Sequence, residues 1–400
     1  ANNTQYSERL AESYVTGTHA FKTGANLGYF TFRNGNETAI DQIHGARMYT
    51  FRNAVPQSVT IYATPLGRAS NSTTIGAFVQ DRWTINRLTT SLGLRDDSFH
   101  AVATAQHFAA GYFVPERNFP EVKDNPVWKN LNPRLGLAYD LFGTGRTAIK
   151  ADMGRYVLGT SSSGNNNVAL DQPILRQANS ATRTWSDTNG NYVPDCVLGP
   201  SVPGANGECG AISDLAFGQI RAEGSTHYAA DVLSGFQDAQ SYLWRGSVSI
   251  QHELRPGLGV TVGYFRTSYG NFQTTDNRAA APSDFDAYCI TAPTDSRLPN
   301  SGSRICGLYD IKPTLFGQVD NLIAQSRSFG KQTDVFNGMD FNVNARFGRG
   351  GQLQGGLATG REVTDTCFTN NDGSLLAAGQ VATAPRSDAY CHVSPPWSAP

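Results

Sequence analysis

Apolar and polar residues alternate along short runs of the chain, and this pattern predicts β-strands. In residues 88–97, Leu88, Leu92 and Leu94 share one side, whereas Arg95 and Asp97 share the other. Because successive side chains of a strand point to opposite faces, such a run predicts a strand with one apolar and one polar face. The same alternation recurs at 134–141, 244–253 and 339–347.

The predicted strands form six pairs, each joined by a short link. Glycine, proline and asparagine in these links supply the backbone dihedrals that tight turns need. The six pairs are 8–18 with 22–32, 43–52 with 57–64, 74–85 with 88–99, 133–141 with 146–157, 241–253 with 258–268, and 337–347 with 351–362. The corresponding links are HAF, NAVPQ, NR, FGTG, RPGL and GRG.

The connections between the pairs are longer, and this difference decides the predicted fold class. A single alternating strand is typical of a soluble sheet, and soluble sandwiches have loops of mixed length at both ends. Membrane barrels instead alternate short turns with long loops, and their strands have about 9–11 residues. The sequence therefore predicts an all-β fold, an antiparallel up-and-down transmembrane β-barrel of which about twelve strands are present. The longest predicted loops are 100–132, 158–240, 269–336 and 363–400.

Two details of the strands need separate explanations. Asp81 falls on the same side as Val79 and Trp83, which we ascribe to a position near a membrane edge. Aromatic residues near strand ends favour an interfacial girdle over the alternative, a ligand platform that would include 127–133. The predicted girdle residues are Trp83, Tyr139, Phe142, Tyr156, Trp244 and Tyr264.

Composition and charge agree with an all-β chain and exclude some partners. Charged residues make up 16% of the chain, aromatic residues 10%, and glycine occurs 41 times, a balance that suits many strands and turns. The net charge of −1 provides no overall field to attract nucleic acid. No stretch approaches eighteen apolar residues, so a transmembrane helix is not expected.

The six cysteines lie outside the predicted strands, in polar connections. Six cysteines allow fifteen pairings, and the short spacings favour pairing between sequence neighbours. None has the C-x-x-C spacing of zinc or redox sites, so disulfides and an oxidising compartment are expected. The expected bridges are Cys196–Cys209, Cys289–Cys306 and Cys367–Cys391.

Catalytic and cofactor motifs do not occur in the sequence. It lacks G-x-S-x-G, H-E-x-x-H and P-loop patterns, so neither an enzyme nor a cofactor is expected. One weak metal candidate remains, in which Asp187, Asn189 and Asp195 resemble a short calcium loop. Its glycine falls too early for that pattern, and the alternative is an Asx-rich turn leading into Cys196.

Four segments resemble TonB-dependent outer-membrane receptors, and within that family the Oar-like group. They are YVTGTHAFKTG, GAFVQDRWTINRLTTSLGLRDD, LNPRLGLAYDLFGTGRTAIKADMGRYV and VSIQHELRPGLGVTVGYFR. Members of this family have a signal peptide, a TonB-contacting segment, a plug inside the barrel, and about twenty-two strands. The resemblance therefore implies that residues 1–400 are an internal piece of the barrel domain, without the plug and N-terminal domains.

The resemblance also implies a function and a set of residues. It suggests a receptor in the bacterial outer membrane that imports a nutrient, with membrane lipid and the TonB complex as partners. Because a plug would occupy the polar face, charged residues on that face are candidates for contacts inside the barrel. These candidates are Arg95, Asp97, Arg245, Glu253, Asp340 and Arg346.

Two other functions remain open from the sequence. Loops that make up so much of the chain also suit a surface adhesive or structural protein without transport. A soluble secreted β-sandwich that binds a ligand is the third alternative, and the asymmetry of loop length disfavours it.

Overall fold

The structure is a computed structural model that describes most of the chain. The described residues are 2–35, 45–159, 169–221, 224–298, 301–348, 350–369, 375–377 and 391–398. Its helices are short, and no helix in these ranges is long and apolar enough to span a bilayer. They are the α-helix α1 (Ala230–Leu233) and the 3-10 helices Pro173–Arg176, Pro282–Asp284, Pro313–Leu315, Ser326–Ser328 and Cys367–Thr369.

Strands dominate the described residues. In chain order they are β1 (Asn2–Thr16), β2 (His19–Gly35), β3 (Arg47–Arg52), β4 (Val55–Tyr62), β5 (Gly67–Ile85), β6 (Leu88–Ala103), β7 (Gln106–Phe108), β8 (Arg117–Phe119), β9 (Val127–Asp140), β10 (Thr147–Val157), β11 (Ser180–Thr184), β12 (Thr226–Tyr228), β13 (Ser234–Phe236), β14 (Tyr242–Arg255), β15 (Leu258–Gly270), β16 (Gln273–Asn277), β17 (Phe285–Thr291), β18 (Arg304–Ile311), β19 (Asn321–Gln325), β20 (Thr333–Phe347), β21 (Gly351–Asp365), β22 (Leu375–Ala377) and β23 (His392–Val393).

One large antiparallel sheet contains all the long strands. Its order is β1-β2-β5-β6-β9-β10-β14-β15-β20-β21-β23, and the short β13 adds to β9 in parallel. Long strands that are consecutive along the sheet are joined alternately by a short turn and by a long connection. All the short turns therefore lie at one end of the sheet, and the long connections lie at the other, which we call the long-loop end.

The short turns are as tight as the sequence predicts, with one shift in position. Asn86 has φ 50° and Gly257 has φ 85°, the left-handed values that two-residue hairpin turns require. The first turn is Gly17–Thr18 rather than the predicted link at 19–21, because β2 already begins at His19. Gly17, at φ 55°, provides the conformational freedom for that turn.

The prediction that 43–52 and 57–64 belong to the barrel wall is wrong. β3 and β4 form a separate three-stranded sheet with β11, in the order β11-β4-β3. With 6 and 8 residues they are shorter than the about 9–11 residues that a tilted membrane strand needs. The large sheet reaches its twelve strands through β13 and β23 instead.

The two faces of the large sheet differ as the alternation predicts. Large apolar side chains on one face are open to the surroundings; Leu92 is 52% exposed, Val248 51% and Met339 50%. A soluble protein would bury such a face, whereas lipid solvates it. We call this the outward face and the opposite one the polar face.

Asp81 lies on the outward face with a partner that the sequence did not predict. Its carboxylate lies 2.7 Å from Nδ1 of His19, which starts β2 beside the first short turn. The His19 ring stacks on Trp83 and Phe21, with ring centroids 5.1 Å and 5.4 Å away. The acidic residue is thus paired among aromatic rings near the short-turn end, which agrees with a membrane-edge position.

The largest cluster of buried apolar residues lies in the connections and not in the large sheet. Three segments pack together around Trp185, which is 1% exposed; they are 45–66, 104–126 and 169–221. We call these three segments the loop module. Its core also contains Val59, Ile61, Ala63, Val114, Ala181, Leu198, Cys209, Ile212 and Phe217. A smaller cluster of Phe108, Phe119, Ile174 and Leu66 joins the same segments. These loops therefore have a hydrophobic core of their own.

A second set of connections is tied together by a four-stranded sheet. Its order is β12-β19-β16-β22, with β12 parallel to β19. Gln325 at the end of β19 is buried and donates from Nε2 to the carbonyl of Ala239, 2.9 Å away. Segments that the sequence predicts to be irregular are thus cross-linked by backbone and side-chain hydrogen bonds.

Candidate functional site

The polar face of the large sheet brings two of the predicted residues together. Arg95 Nε donates to Asp97 Oδ1 at 2.7 Å, and Asn132 Nδ2 donates to Asp97 Oδ2 at 2.7 Å. Arg95 and Asp97 are two residues apart on β6, so both side chains point to the same face. Gly76 on the neighbouring β5 leaves the space that the Arg95 guanidinium fills, since a Cβ at that position would overlap it.

Further basic residues join Arg95 in a cluster that the sequence prediction missed. One cavity of about 140 Å³ on the polar face is lined by the basic residues Arg9, Lys22, Arg95 and Arg134. We call these four residues the basic cluster. Among the described residues, its one ion pair is that of Arg95 with Asp97. The alternating pattern places each cation on this face, but only the pairing of β1, β2, β5, β6 and β9 brings them together.

The remaining predicted residues are spread over the polar face and do not form one site. Asp340 Oδ2 accepts from Asn342 at 2.8 Å. Glu253 Oε1 accepts the backbone N–H of Gly257 at 3.3 Å, so this carboxylate contacts the turn that follows β14. Arg346 is exposed one residue before the end of β20, and Arg245 is exposed on β14.

The aromatic residues near strand ends do not all belong to one girdle. Tyr156 lies under the Arg134 guanidinium at 4.7 Å, so it belongs to the polar face and the girdle assignment is wrong for this residue. Trp128, in the segment considered as a ligand platform, is buried and donates from Nε1 to the carbonyl of Val232 at 2.8 Å. Its indole therefore anchors a loop to β9, and its burial leaves no surface for a ligand.

A buried arginine joins the polar face to the long connection that follows β10. Arg155 Nη1 donates to the amide oxygens of Asn130 at 3.1 Å and Asn132 at 2.8 Å. Its Nη2 donates to the carbonyl of Gln237 at 3.1 Å, and its guanidinium stacks over Tyr242 at 4.3 Å. These contacts connect the wall of the sheet to the segment just before β14.

This junction forms because β9 and β10 separate towards the long-loop end. Their backbone pairing stops at Gly154 with Arg134, and β9 pairs with β13 beyond that point. Asn130 and Gln240 are joined by a side-chain hydrogen bond of 2.8 Å, and Gln240 also donates to the carbonyl of Leu158. A continuous set of hydrogen bonds therefore runs from Arg95 through Asp97, Asn132 and Arg155 into the loop.

The loop module owes its fixed shape partly to Arg183. This residue is 1% exposed, and its guanidinium donates to backbone carbonyls alone among the contacts described. Burial lowers the pKa of Arg183, yet hydrogen bonds satisfy its donors. The five acceptors are the carbonyls of Leu198, Gly199, Val202, Gly204 and Gly210. One side chain thus holds the whole stretch 198–210 around it.

The calcium candidate forms a hydrogen-bonded turn in the structure. The Asp187 carboxylate accepts backbone N–H groups at 2.8–3.1 Å from Gly190, Asn191 and Tyr192. Asp195 Oδ2 accepts from the side-chain amides of Asn189 at 2.6 Å and Asn191 at 3.0 Å. These contacts match the Asx-rich turn, and the described residues contain no group of three His, Cys, Asp or Glu side chains suited to a metal.

Glu208 fastens this turn to the core of the loop module. Its Oε1 accepts the backbone N–H and the hydroxyl of Thr188, at 2.7 Å and 2.6 Å. Its Oε2 accepts the N–H of Asp195 at 3.3 Å and the indole N–H of Trp185 at 3.4 Å. The hydrogen bonds from Thr188 lower the pKa of Glu208 from 4.5 to about 2.

Acidification should therefore destabilise the turn at residues 187–195, which Glu208 holds by hydrogen bonds. A carboxyl group whose pKa is lower in the folded state stabilises that state above its unfolded pKa, and this contribution is lost as pH falls. For Glu208 the loss should occur between about pH 4.5 and pH 2. Amide hydrogen exchange at Thr188 and Asp195 should show protection decreasing over this window. Glu208→Gln should start with lower protection and show little of this pH dependence; an unchanged pH profile in the variant would contradict the assignment.

The six cysteines form three disulfides between sequence neighbours. Cys196–Cys209 lies in the loop module, and Cys367–Cys391 lies beyond β21. Cys289–Cys306 joins β17 to β18, strands of a loop hairpin that the sequence analysis did not predict. All three lie outside the large sheet.

Reduction of the disulfides should release the loops and leave the large sheet folded. Chain-entropy estimates give roughly 3 kcal/mol for each loop of this size, the sequence separations being 13, 17 and 24 residues. We expect faster proteolysis within 196–209, 289–306 and 367–391 after reduction, with nearly unchanged far-ultraviolet circular dichroism. Peptide mapping without reduction gives the control. Loss of most of the strand signal would contradict the separation of loops from sheet.

The solved structures that align with this chain include two transporters. The chain aligns with the outer membrane transporter YddB from Escherichia coli at a TM-score of 0.43 and 12% identity, covering 91% of this chain and 33% of that one. The FrpB iron transporter from Neisseria meningitidis aligns at a TM-score of 0.38 and 9% identity, covering 91% and 35%. The chain thus spans about a third of these proteins.

Sequence comparison finds a relative and a family. The TonB-dependent transporter Oar of Myxococcus xanthus is 29% identical over 157 residues, which cover 35% of this chain and 13% of that protein. The model of the outer membrane beta barrel domain matches residues 1–389. Since this match spans nearly the whole chain, the protein belongs to the outer membrane beta barrel domain family and lies in the bacterial outer membrane.

Proposed function

We propose that this chain is part of a TonB-dependent receptor that binds a nutrient outside the cell and imports it. The observation that carries the proposal is the hydrogen-bonded path from Arg95 on the polar face to Gln237 in a long connection. In an importer, ligand binding at the external loops has to be communicated to the inside of the barrel. A long connection that is hydrogen-bonded to the polar face of the sheet suits that task, and the likeness to Oar supports the proposal.

The basic cluster is the proposed contact surface inside the barrel. Arg9, Lys22, Arg95 and Arg134 surround one cavity, with Asp97 as the neighbouring carboxylate. Unbalanced positive charge of this kind favours an anionic surface, such as carboxylates of a plug domain. We propose the same contact or path role for Arg245, Glu253, Asp340 and Arg346, which lie apart on the polar face.

The importer proposal can be tested by competition in mixed cultures. A strain with the intact gene and its deletion strain would be grown together on single nutrients: ferric siderophores, oligosaccharides or peptides. We expect an advantage for the intact strain on one of them, and loss of that advantage in cells without TonB. An advantage that persists undiminished without TonB would reject the proposal.

A surface adhesive protein is the second candidate, and exposed aromatic residues on the loop module favour it. Tyr49, Phe51 and Tyr192 are all exposed there, with Phe51 and Tyr49 packed against Trp185. Such rings suit a binding surface whether or not transport follows. The gene sequence upstream of this chain distinguishes the candidates, because a plug-encoding segment argues for the importer.

A further inference from the structure

Strand β3 lies at the edge of the three-stranded sheet in the loop module. The order of this sheet is β11-β4-β3, so β3 pairs with β4 on one side and with no described strand on the other. All residues of β3 except Arg47 are exposed. Proteins commonly protect an edge strand with proline or lysine, and β3 contains neither. Within the described residues, β3 therefore has an open edge.

The hydrogen-bond pattern identifies the backbone groups that face this open edge. The N–H of Tyr62 on β4 donates to the carbonyl of Ala46, the residue before β3, at 2.8 Å. Bonded residues alternate with unbonded ones along an antiparallel strand, so every second residue counted from Ala46 bonds to β4. Arg47 and Tyr49 fall between them. Their N–H and C=O groups therefore point away from β4, and no described residue forms a backbone hydrogen bond with them on that side.

The hydrophobic core of the loop module is uncovered along β3. Tyr49 and Phe51 contact the buried Trp185, with ring centroids 5.5 Å and 5.7 Å away, yet they are 40% and 45% exposed. Tyr192 lies 6.3 Å from Phe51 and is also exposed. Met48 is exposed on the opposite face of the sheet. A further strand beside β3 would cover apolar side chains on both faces.

The two ends of β3 are positively charged. Arg47 begins the strand and Arg52 ends it, and neither forms an ion pair with a described residue. The carboxylates of Asp187 and Glu208 in the same module are engaged by hydrogen bonds within it. At the rise of a strand the two arginines are about 17 Å apart, which is the span of six extended residues. The charge of the edge therefore favours a partner that is acidic at both ends of such a segment.

We propose that the open edge of β3 binds an extended peptide, which adds to the sheet of the loop module as a further strand. An extended backbone is the ligand whose N–H and C=O groups match the free groups of Arg47 and Tyr49. Apolar side chains at alternate positions of the peptide would pack beside Tyr49 and Phe51, and acidic side chains at its ends would pair with Arg47 and Arg52. This inference names the chemistry that the loop module binds. It holds whether or not import follows, so it is independent of the importer proposal.

Peptide binding to the full-length protein in detergent provides the test. The probe is the capped and fluorescently labelled hexapeptide Glu-Val-Thr-Val-Thr-Glu, and its affinity is read by fluorescence anisotropy. N-methylation of both valines and N-methylation of both threonines give two isomers. Since neighbouring amides of a strand point to opposite sides, only one isomer loses its hydrogen bonds to β3. We expect that isomer to bind at least about tenfold more weakly than the other.

Substitutions at the edge test where the peptide binds. Tyr49→Pro removes an N–H that points to the open edge and no hydrogen bond to β4, so the module should stay resistant to proteolysis while the peptide binds at least about tenfold more weakly. Tyr49→Val is the matched control; it removes the ring, keeps the N–H, and should weaken binding less. Arg47→Gln/Arg52→Gln should no longer distinguish the hexapeptide from its counterpart with glutamine at both ends, whereas the wild type should prefer the glutamate form.

Three results would overturn the proposal. They are no binding of the hexapeptide to the wild type, equal affinities of the two N-methylated isomers, and wild-type affinity in Tyr49→Pro. A dimer that forms without peptide and is lost in Tyr49→Pro would assign the edge to a second copy of the chain, and would also overturn it.

Discussion

Val248→Arg should impair insertion of the barrel into the membrane by about 2–4 kcal/mol if the site lies near the middle of the bilayer. Val248 is 51% exposed on the outward face, in a row with Ala151 and Tyr264. An arginine there would replace contacts with acyl chains by a charge in hydrocarbon. The measurement is the folded fraction after refolding into lipid vesicles over a urea series, read by heat-modifiable gel mobility. Val343→Arg should behave in the same way.

The matched control is the neighbouring position on the polar face. Ser249→Arg changes the adjacent residue of β14, which points towards water, and should alter the folded fraction little. Asn344→Arg is the corresponding control on β20. Equal losses at Val248 and Ser249 would show that the assignment of the two faces is incorrect.

Trp185→Ala should unfold the loop module without unfolding the large sheet. Removal of a fully buried tryptophan costs about 3–5 kcal/mol, because transfer and cavity terms add. Trp185 is the largest fully buried side chain, packs against Tyr49 and Phe51, and donates to Glu208. We expect rapid proteolysis within 45–66, 104–126 and 169–221, and a barrel that keeps its heat-modifiable mobility.

Leu215→Ala provides the comparison within the same module. Leu215 is 72% exposed, so its truncation removes little buried surface and should leave the proteolysis rate near that of the wild type. If the loop module of Trp185→Ala were as resistant to proteolysis as that of Leu215→Ala, the buried cluster would not be what stabilises these connections.

Local alternation was sufficient to predict the ten long strands of the large sheet. Of the six predicted pairs, five correspond to hairpins of the large sheet, including the turns at Asn86–Arg87 and Pro256–Gly257. The sixth, β3 with β4, has the same alternation but lies in the loop module. Alternation indicates only that a strand has two unlike faces. It does not indicate whether lipid or a protein core covers the apolar face.

The candidate site was predicted less completely than the fold. Face parity placed Arg95 and Asp97 correctly on one side, and the structure joins them. It gave no sign that Arg9, Lys22 and Arg134 gather around the same cavity, because that depends on which strands are neighbours and in what register. Arg155 was missed for a further reason. Its strand, β10, separates from β9 beyond Gly154, so the alternation of side chains no longer determines where Arg155 points.

The sequence by itself determined what short-range patterns encode: the strands of the wall, their two faces, the tight turns, and the alternation of short and long connections. The tertiary structure alone decided which connections share a hydrophobic core, where Arg183 and Trp185 are buried, and how Arg155 links the wall to a loop. The physical reason is the range of the interactions. Turns and side-chain alternation depend on neighbouring residues, whereas burial and hydrogen-bonded networks join residues far apart in the chain, and no local pattern records that pairing.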